Sequence, residues 1–410
     1  MSKVEIPVAA LQVGHYISLP LGWTAHPFMR NSFKIKNQEQ ITVLRSLGLE
    51  QIEIIPGKSS IAVTLQADEQ LNQDQLADKP QADPKQLWLE ELRKGQKRAN
   101  KAYLQSADKF RGALAKFTSR PDEAYYSIFE QVNTTLQLLF KSSKAHSVYV
   151  SLEPCSDEDI FFHSVNVAVI SVLVAKNLGF TEKECQLLCI AAMIHDIGEL
   201  KVPHQIRRKL QEWTSAEQNF YQTHPKFSVD LIKKAGSFPE EILPMVLNHH
   251  ERLDGSGYPR GVTAKEIDKP TQLLAIVDAF EHLCSPLANQ KKLTPQEAFA
   301  LLYKSAGTKY NKLYLEQLMN TLGIYPPGSL VSLDDGNFAM VMSSNPKQKL
   351  KPRVLLLEKG KSFGNANVLD LSKEPQKIVK SVKWDEVPAV LTKNYDAKLR
   401  CCYFFDPDQE

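Results

Sequence analysis

Six of the ten histidines lie between positions 163 and 250: His163, His195, His204, His224, His249 and His250. The intervals 163 to 195, 196 to 224, 224 to 249 and 250 to 278 are each about one helix plus one turn, so successive helices can each bring one end to a shared centre. The doublet His195–Asp196 stands in IAAMIHDIGEL, where an apolar helix delivers an imidazole and a carboxylate to a glycine turn. That pairing suits a divalent metal, because imidazole suits iron, zinc and nickel and a carboxylate can join two ions. Asp278 is a lone acid in the apolar run LLAIVDAF, a costly burial unless a positive charge sits beside it. His204 shows no partner in the pattern, and His15, His26, His146 and His282 read as ordinary core or surface residues.

A further stretch, NHHERLDGSGYPRG at 248–261, sets His249 and His250 directly before a glycine-rich turn. Gly255 and Gly257 are read as allowing backbone angles that larger side chains resist, with Pro259 stiffening the exit, so that Tyr258 projects from a fixed loop.

The elements that must position these residues are mainly helical. Residues 1–56 carry short β-like runs around the helical NQEQITVLRSLG, a small α+β module. Residues 57–84 are polar and rich in Gln and Asp and read as a linker. Residues 85–145 read as two long connecting helices, and 146–326 as an all-helical domain broken at Gly179, Gly198, Pro225, Gly236 and the glycines of 255–261. From 327 to 410 the pattern alternates, with a hairpin over Asp335-Gly336-Asn337 and a third strand, KPRVLLLEKG. The fold class expected is thus mainly α, an all-helical metal-binding domain with an α+β module before it and a small β appendage after it.

Composition narrows the function. With 410 residues and 43% hydrophobic content the chain can fill a sizeable core, and 50 basic against 47 acidic residues leave +3, too little for a protein that wraps nucleic acid. The opening MSKVEIPVAALQVGHY shows no basic run followed by an apolar one, and no apolar run is read as reaching a membrane-spanning length. A cytoplasmic location is expected. The cysteines at 155, 185, 189, 284, 401 and 402 have no zinc-ribbon spacing and read as reduced thiols.

Taken together, HDIG, HP at 224–225, HHERLDGSGYP and VDAF resemble, in order and spacing, the HD-GYP domain, the branch of HD phosphohydrolases that hydrolyses cyclic di-GMP in bacteria. The front module resembles the uncharacterised domain often found ahead of it, and the β appendage resembles a short extension that often follows it. The resemblance implies metal ligands at His163, His195, Asp196, His224, His249, His250 and Asp278, with His195 and Asp196 as the catalytic doublet. Asp159, four residues before His163, stands where some relatives recruit a third ion. Two or three divalent ions, iron or manganese, are thus implied. A water activated between two ions would attack phosphorus and give pGpG, GMP or both.

The departures concern substrate contacts. Glu199 stands where relatives usually have a lysine that reaches a substrate phosphate, and CSPLANQ places Leu287 and Gln290 where arginines are usual. Arg252, Arg260, Lys291 and Lys292 are candidate substitutes, and Gly257, Tyr258 and Pro259 are expected at the edge of the substrate pocket. Losing a charge-assisted hydrogen bond predicts a fall in affinity of roughly ten- to several-hundred-fold. Three functions stay open: a metal-dependent cyclic di-GMP phosphodiesterase of weakened activity, a degenerate domain that binds a metal or nucleotide and contacts partners such as diguanylate cyclases, or an HD hydrolase with another phosphoester substrate. Oligomeric state is not encoded in these patterns.

Overall fold

A computed structural model describes residues 4–20, 31–46, 49, 51–60, 84–140, 147–149, 159–286, 290–345, 347–363, 365–395 and 402–404, and divides the chain into two units, Met1–Gln81 and Ala82–Glu410. The first unit is a four-stranded antiparallel sheet. Its strands are β1 (Val4–Pro7), β2 (Tyr16–Ser18), β3 (Ser32–Lys34) and β4 (Gln51–Ile54), with α1 (Gln38–Ser46) before the last, in the order β1-β4-β2-β3. The pairing Val4↔Ile54 and Ile6↔Ile52 sends alternate side chains inward. Ile6, Ile17, Ile52 and Ile54 thereby share a core with Ile41 and Leu44 of α1. Most of the polar stretch 57–84 lies outside the described residues.

The second unit opens with α2 (Pro84–Lys116) and α3 (Pro121–Phe140). Pro121, Asp122 and Glu123 begin α3, a proline whose missing N–H costs nothing there and acids that favour the helix N-terminus. These helices do more than connect. Phe110, Ala113, Phe117, Ala124, Ile128, Val132 and Leu136 recur at helical spacing and belong to the same buried core as the histidine-bearing helices, so the helical body begins well before residue 146.

After the short strand β5 (Ser147–Tyr149) come α4 (Asp159–Asn177), α5 (Glu182–Ile194), α6 (His204–Arg207), α7 (Ser215–Tyr221), α8 (His224–Ala235), α9 (Leu243–Asn248), α10 (Lys269–Cys284), α11 (Pro295–Tyr303) and α12 (Lys312–Leu322). Their ends are written in the sequence. Thr181 with Glu184 and Thr214 with Glu217 form capping boxes, Asp268 caps α10, and Gly236 at φ 72° closes α8. One sequence expectation needs correcting here. Ile160–Asn177 in α4 is long and apolar enough to cross a membrane by length and composition, but 61% of it is buried within the protein. Such burial is that of a core helix, and α4 carries His163. Cys185 and Cys189 are buried thiols of α5, pushed by burial up to about 11 and about 12, and are inert packing residues.

The C-terminal part is more than a hairpin with one added strand. β6 (Leu330–Leu333), β7 (Phe338–Ser343), β8 (Arg353–Leu356), β9 (Val368–Asp370) and β10 (Ile378–Val382) make a five-stranded sheet in the order β10-β6-β7-β8-β9, and β11 (Cys402–Phe404) pairs with β5.

Candidate metal centre

All the expected ligands but Asp278 sit at or near a helix end. His163 is in the first turn of α4, His195 and Asp196 follow α5, His224 opens α8, His249 and His250 follow α9, and Asp278 faces inward from α10. All seven are buried. They form two groups that share one residue: His163, His195, Asp196 and Asp278, and Asp196, His224, His249 and His250.

Asp196 joins the groups through its two oxygens. Its Oδ2 lies 3.2 Å from His195 Nε2 and 3.3 Å from His163 Nε2, while its Oδ1 lies 3.1 Å from His224 Nε2 and 3.2 Å from His249 Nε2. Asp278 Oδ1 is 3.3 Å from His163 Nε2, and its Oδ2 is 3.3 Å from His250 Nδ1. Such separations match the edges, about 3 Å long, of a polyhedron with metal–ligand bonds of about 2.1 Å.

The outer nitrogens fix which inner nitrogen is offered. Nδ1 of His195, His224 and His249 lies 2.7, 2.9 and 2.7 Å from the carbonyls of Ala192, Tyr221 and Val246, each three residues earlier. A carbonyl can only accept, so Nδ1 carries the proton and Nε2 of the neutral ring presents a lone pair to the centre. His163 is held in the same way by the carboxylate of Glu281, whose other oxygen accepts from Asn166 Nδ2 at 2.8 Å, and Asn166 Oδ1 accepts from Tyr103 of α2 at 2.8 Å.

Donor chemistry then tests the fit to a cation. Burial keeps His249 and His250 below the usual histidine range, and in His249, whose Nδ1 proton goes to the Val246 carbonyl, the inner Nε2 is a lone pair facing Asp196 Oδ1. Asp196 Oδ1, Asp278 Oδ2 and His250 Nε2 are buried and lack any hydrogen-bond partner. Lone pairs opposed at 3.1 and 3.2 Å, as His224 and His249 are to Asp196 Oδ1, repel unless a positive ion lies between them. The first group differs. Burial would lower His195, yet Asp196 and Asp278 outweigh it and raise it to about 10, and His163 also rises well above its usual value against burial, chiefly through Glu281. Burial opposes charge on Asp196 and Asp278, but the imidazoles around them hold both well below the usual carboxylate range. The residues fit divalent metal.

Packing of the two turns explains their glycines. A Cβ on Gly198 would stand 2.1 Å from His224 O and 2.5 Å from Ser228 N, so only glycine lets the His195–Asp196 turn press against α8. Ser228 Oγ clasps that contact, accepting from Gly198 N at 2.8 Å and donating to His195 O at 2.6 Å. In the second turn Gly255 does adopt φ 78°, but Gly257 does not have a positive φ. Gly257 is required because a Cβ would meet Arg252 N and Glu251 Cα at 2.4 Å, which corrects the expectation of a special backbone angle. Buried Glu251 holds the loop from inside, accepting from the N–H groups of Arg260, Gly261 and Val262 at 2.7, 3.1 and 3.2 Å. Tyr258, joined to Pro259 by a cis peptide, lays its ring against His250, centroids 4.6 Å apart. It stands at the wall of the centre.

The remaining candidates divide. Glu199 is 6% exposed, receives the Tyr221 hydroxyl, and groups with Asp196 and His282. Arg252 lies over the Tyr310 ring at 4.9 Å and donates to Glu251 O at 2.9 Å, tied to its own loop. Lys291 is exposed and lines a cleft with Lys380 and Lys383 against the C-terminal sheet, whose lining includes none of the metal-centre residues. Asp159 is the first residue of α4, but its side chain lies outside the described residues, as does Leu287. His282, read as an ordinary residue, instead places Nδ1 3.0 Å from Asp278 Oδ1. Glu281, Glu251, Tyr221, Ser228 and Asn166 were also missed. Glu281 and His282 had a signal, lying three and four residues after Asp278 on one helical face.

Comparison with known proteins agrees with this geometry. An HD domain model matches residues 140–312, and a domain of unknown function, DUF3391, matches residues 3–127. The chain is 26% identical over 365 residues to cyclic di-GMP phosphodiesterase PA4108 of Pseudomonas aeruginosa, covering 85% of this chain and 84% of that one. It is 27% identical to cyclic di-GMP phosphodiesterase PdeB of Borreliella burgdorferi, over 54% of this chain and 56% of the relative. It is 30% identical to 3'3'-cGAMP-specific phosphodiesterase 3 of Vibrio cholerae, over 40% of this chain and 35% of the relative.

Proposed function

We propose that this chain, matched by an HD domain over residues 140–312 and by DUF3391 over residues 3–127, is of the HD-GYP branch and is a metal-dependent phosphodiesterase hydrolysing cyclic di-GMP to pGpG, GMP or both. The observation that carries the proposal is the shared carboxylate of Asp196, with imidazole nitrogens 3.1 and 3.2 Å from its two oxygens on opposite sides.

His163, His195, Asp196 and Asp278 would hold one divalent ion, and Asp196, His224, His249 and His250 a second; iron and manganese both suit such ligands. When bound, such ions supply Lewis acidity toward phosphoryl oxygens and lower the pKa of a water nucleophile. The chain's own residues do the positioning. Backbone carbonyls and Glu281 hold the imidazoles in the tautomer that offers Nε2. Glu251 and the close approach of Gly257 fix the loop that sets Tyr258 beside His250, where the phenol edge is placed to orient a guanine or ribose.

The test is turnover by metal-loaded protein of cyclic di-GMP and 3'3'-cGAMP side by side, with His195→Ala as control. A second reading has one observation in its favour: Glu199 buries a carboxylate at the edge of the metal centre, beside Asp196 and His282. On that reading the domain binds nucleotide without cleaving it and contacts partners such as diguanylate cyclases. The same assay, run with direct binding, separates the two.

A further inference from the structure

Glu199 and His282 form a corner of the centre that the two-ion arrangement does not use. Each lies one turn beyond a carboxylate of the centre: Glu199 is three residues after Asp196, and His282 is four after Asp278 on α10. One ligand-type atom from each of Asp196, Glu199 and His282 lies within 4.8 Å of the other two.

Both side chains leave an atom unspent. Glu199 is buried at 6% exposure, and its Oε1 receives the hydroxyl of Tyr221, but among the described residues no donor reaches its Oε2 and no lysine or arginine pairs with it. His282 sets Nδ1 against Asp278 Oδ1 at 3.0 Å and packs edge-on to the His163 ring, centroids 4.5 Å apart, and among the described residues its Nε2 has no partner. A buried carboxylate without a cation is costly, and it would repel the phosphodiester the pocket is built to receive. A metal ion removes both difficulties.

We propose that Glu199 and His282, with Asp196 at their common edge, hold a third divalent cation, and that this ion presents positive charge to a phosphate of the substrate. The inference rests on the phosphodiesterase reading for its substrate, but not for the ion itself. One carboxylate, one imidazole and a shared oxygen leave several positions for water or phosphate oxygens, the mixed coordination that manganese and magnesium accept. Tyr221 serves as the positioning residue, holding one oxygen of Glu199 so that the other is offered inward.

The experiment is equilibrium dialysis of full-length protein against Mn2+, with bound manganese read by elemental analysis and by electron paramagnetic resonance. About three ions per chain are expected for wild type, and about two for Glu199→Gln and for His282→Asn. Two ions in all three proteins would overturn the third site and leave the paired centre standing. Loss of all manganese in both variants would equally overturn it, since the two residues would then support the paired centre instead. Fewer than one ion in wild type would remove the paired centre as well. Three ions in wild type and three in either variant would place the third ion elsewhere, Asp159 being the alternative, and would overturn the proposal.

Discussion

Asp196 and His224 meet at 3.1 Å through an oxygen, Oδ1, that no hydrogen-bond donor satisfies, while the second oxygen of the same carboxylate faces His195 at 3.2 Å. One side chain therefore belongs to both halves of the centre. Asp196→Asn should lower metal content to below one ion per chain, whereas Asp278→Asn should spare the group formed by His224, His249 and His250. Elemental analysis after metal supplementation compares them, and equal losses in the two variants would refute the division into two groups.

Glu281 never faces an ion in this arrangement, yet it sets the tautomer of His163. Glu281→Gln should weaken metal binding about ten- to a hundred-fold at the first group, as loss of such outer partners does. Tyr103→Phe, one hydrogen bond further out, removes a neutral contact worth about 0.5–1.5 kcal/mol and should change affinity less than tenfold. Competition with a chromogenic chelator measures both, and a larger effect from Tyr103 would reverse the order of the chain.

Gly198 is fixed by backbone, not by a movable side chain, since an added Cβ meets His224 O at 2.1 Å. Gly198→Ala must push α8 away from the His195–Asp196 turn. A loss of about 1–3 kcal/mol or more in urea unfolding is expected, together with reduced metal content. Wild-type stability in the variant would show that the turn can yield.

Metal loading should release protons unequally. His195, raised to about 10 by Asp196 and Asp278 against burial, and His163, also raised, carry a second ring proton at pH 7.5 in metal-free protein, while His249 and His250 are lowered and stay neutral. Binding must displace the protons on the raised pair, so affinity at the first group falls as pH falls, by about tenfold per unit for each proton displaced. An indicator in weakly buffered solution should record about one to two protons per chain, and none would contradict this electrostatic picture.

Much of the centre was legible because ligand residues are scarce types at spacings set by helix length. His163, His195, Asp196, His224, His249, His250 and Asp278 all converge as their spacing implied. The residues that support them were not legible for a physical reason: Glu281, Tyr221 and Ser228 are common residue types whose roles depend on burial and on partners 118, 22 and 33 residues away. Gly257 shows a different limit. A glycine needed for close approach looks in sequence like one needed for a positive φ, and only the neighbouring backbone tells them apart. The third strand was read correctly as β8, but the later strands of the C-terminal sheet were not, because β9 and β10 are short and half exposed, with a register shift at β10.

The account stands most directly on one measurement, the turnover of cyclic di-GMP by manganese- or iron-loaded wild type against His195→Ala and metal-stripped wild type. Linear pGpG or GMP should accumulate with the loaded protein and fall at least about a hundredfold in both controls, the scale expected when a catalytic metal centre is lost. Intact cyclic di-GMP after prolonged incubation with fully metal-loaded wild type would contradict the phosphodiesterase assignment and leave a nucleotide-binding domain in its place.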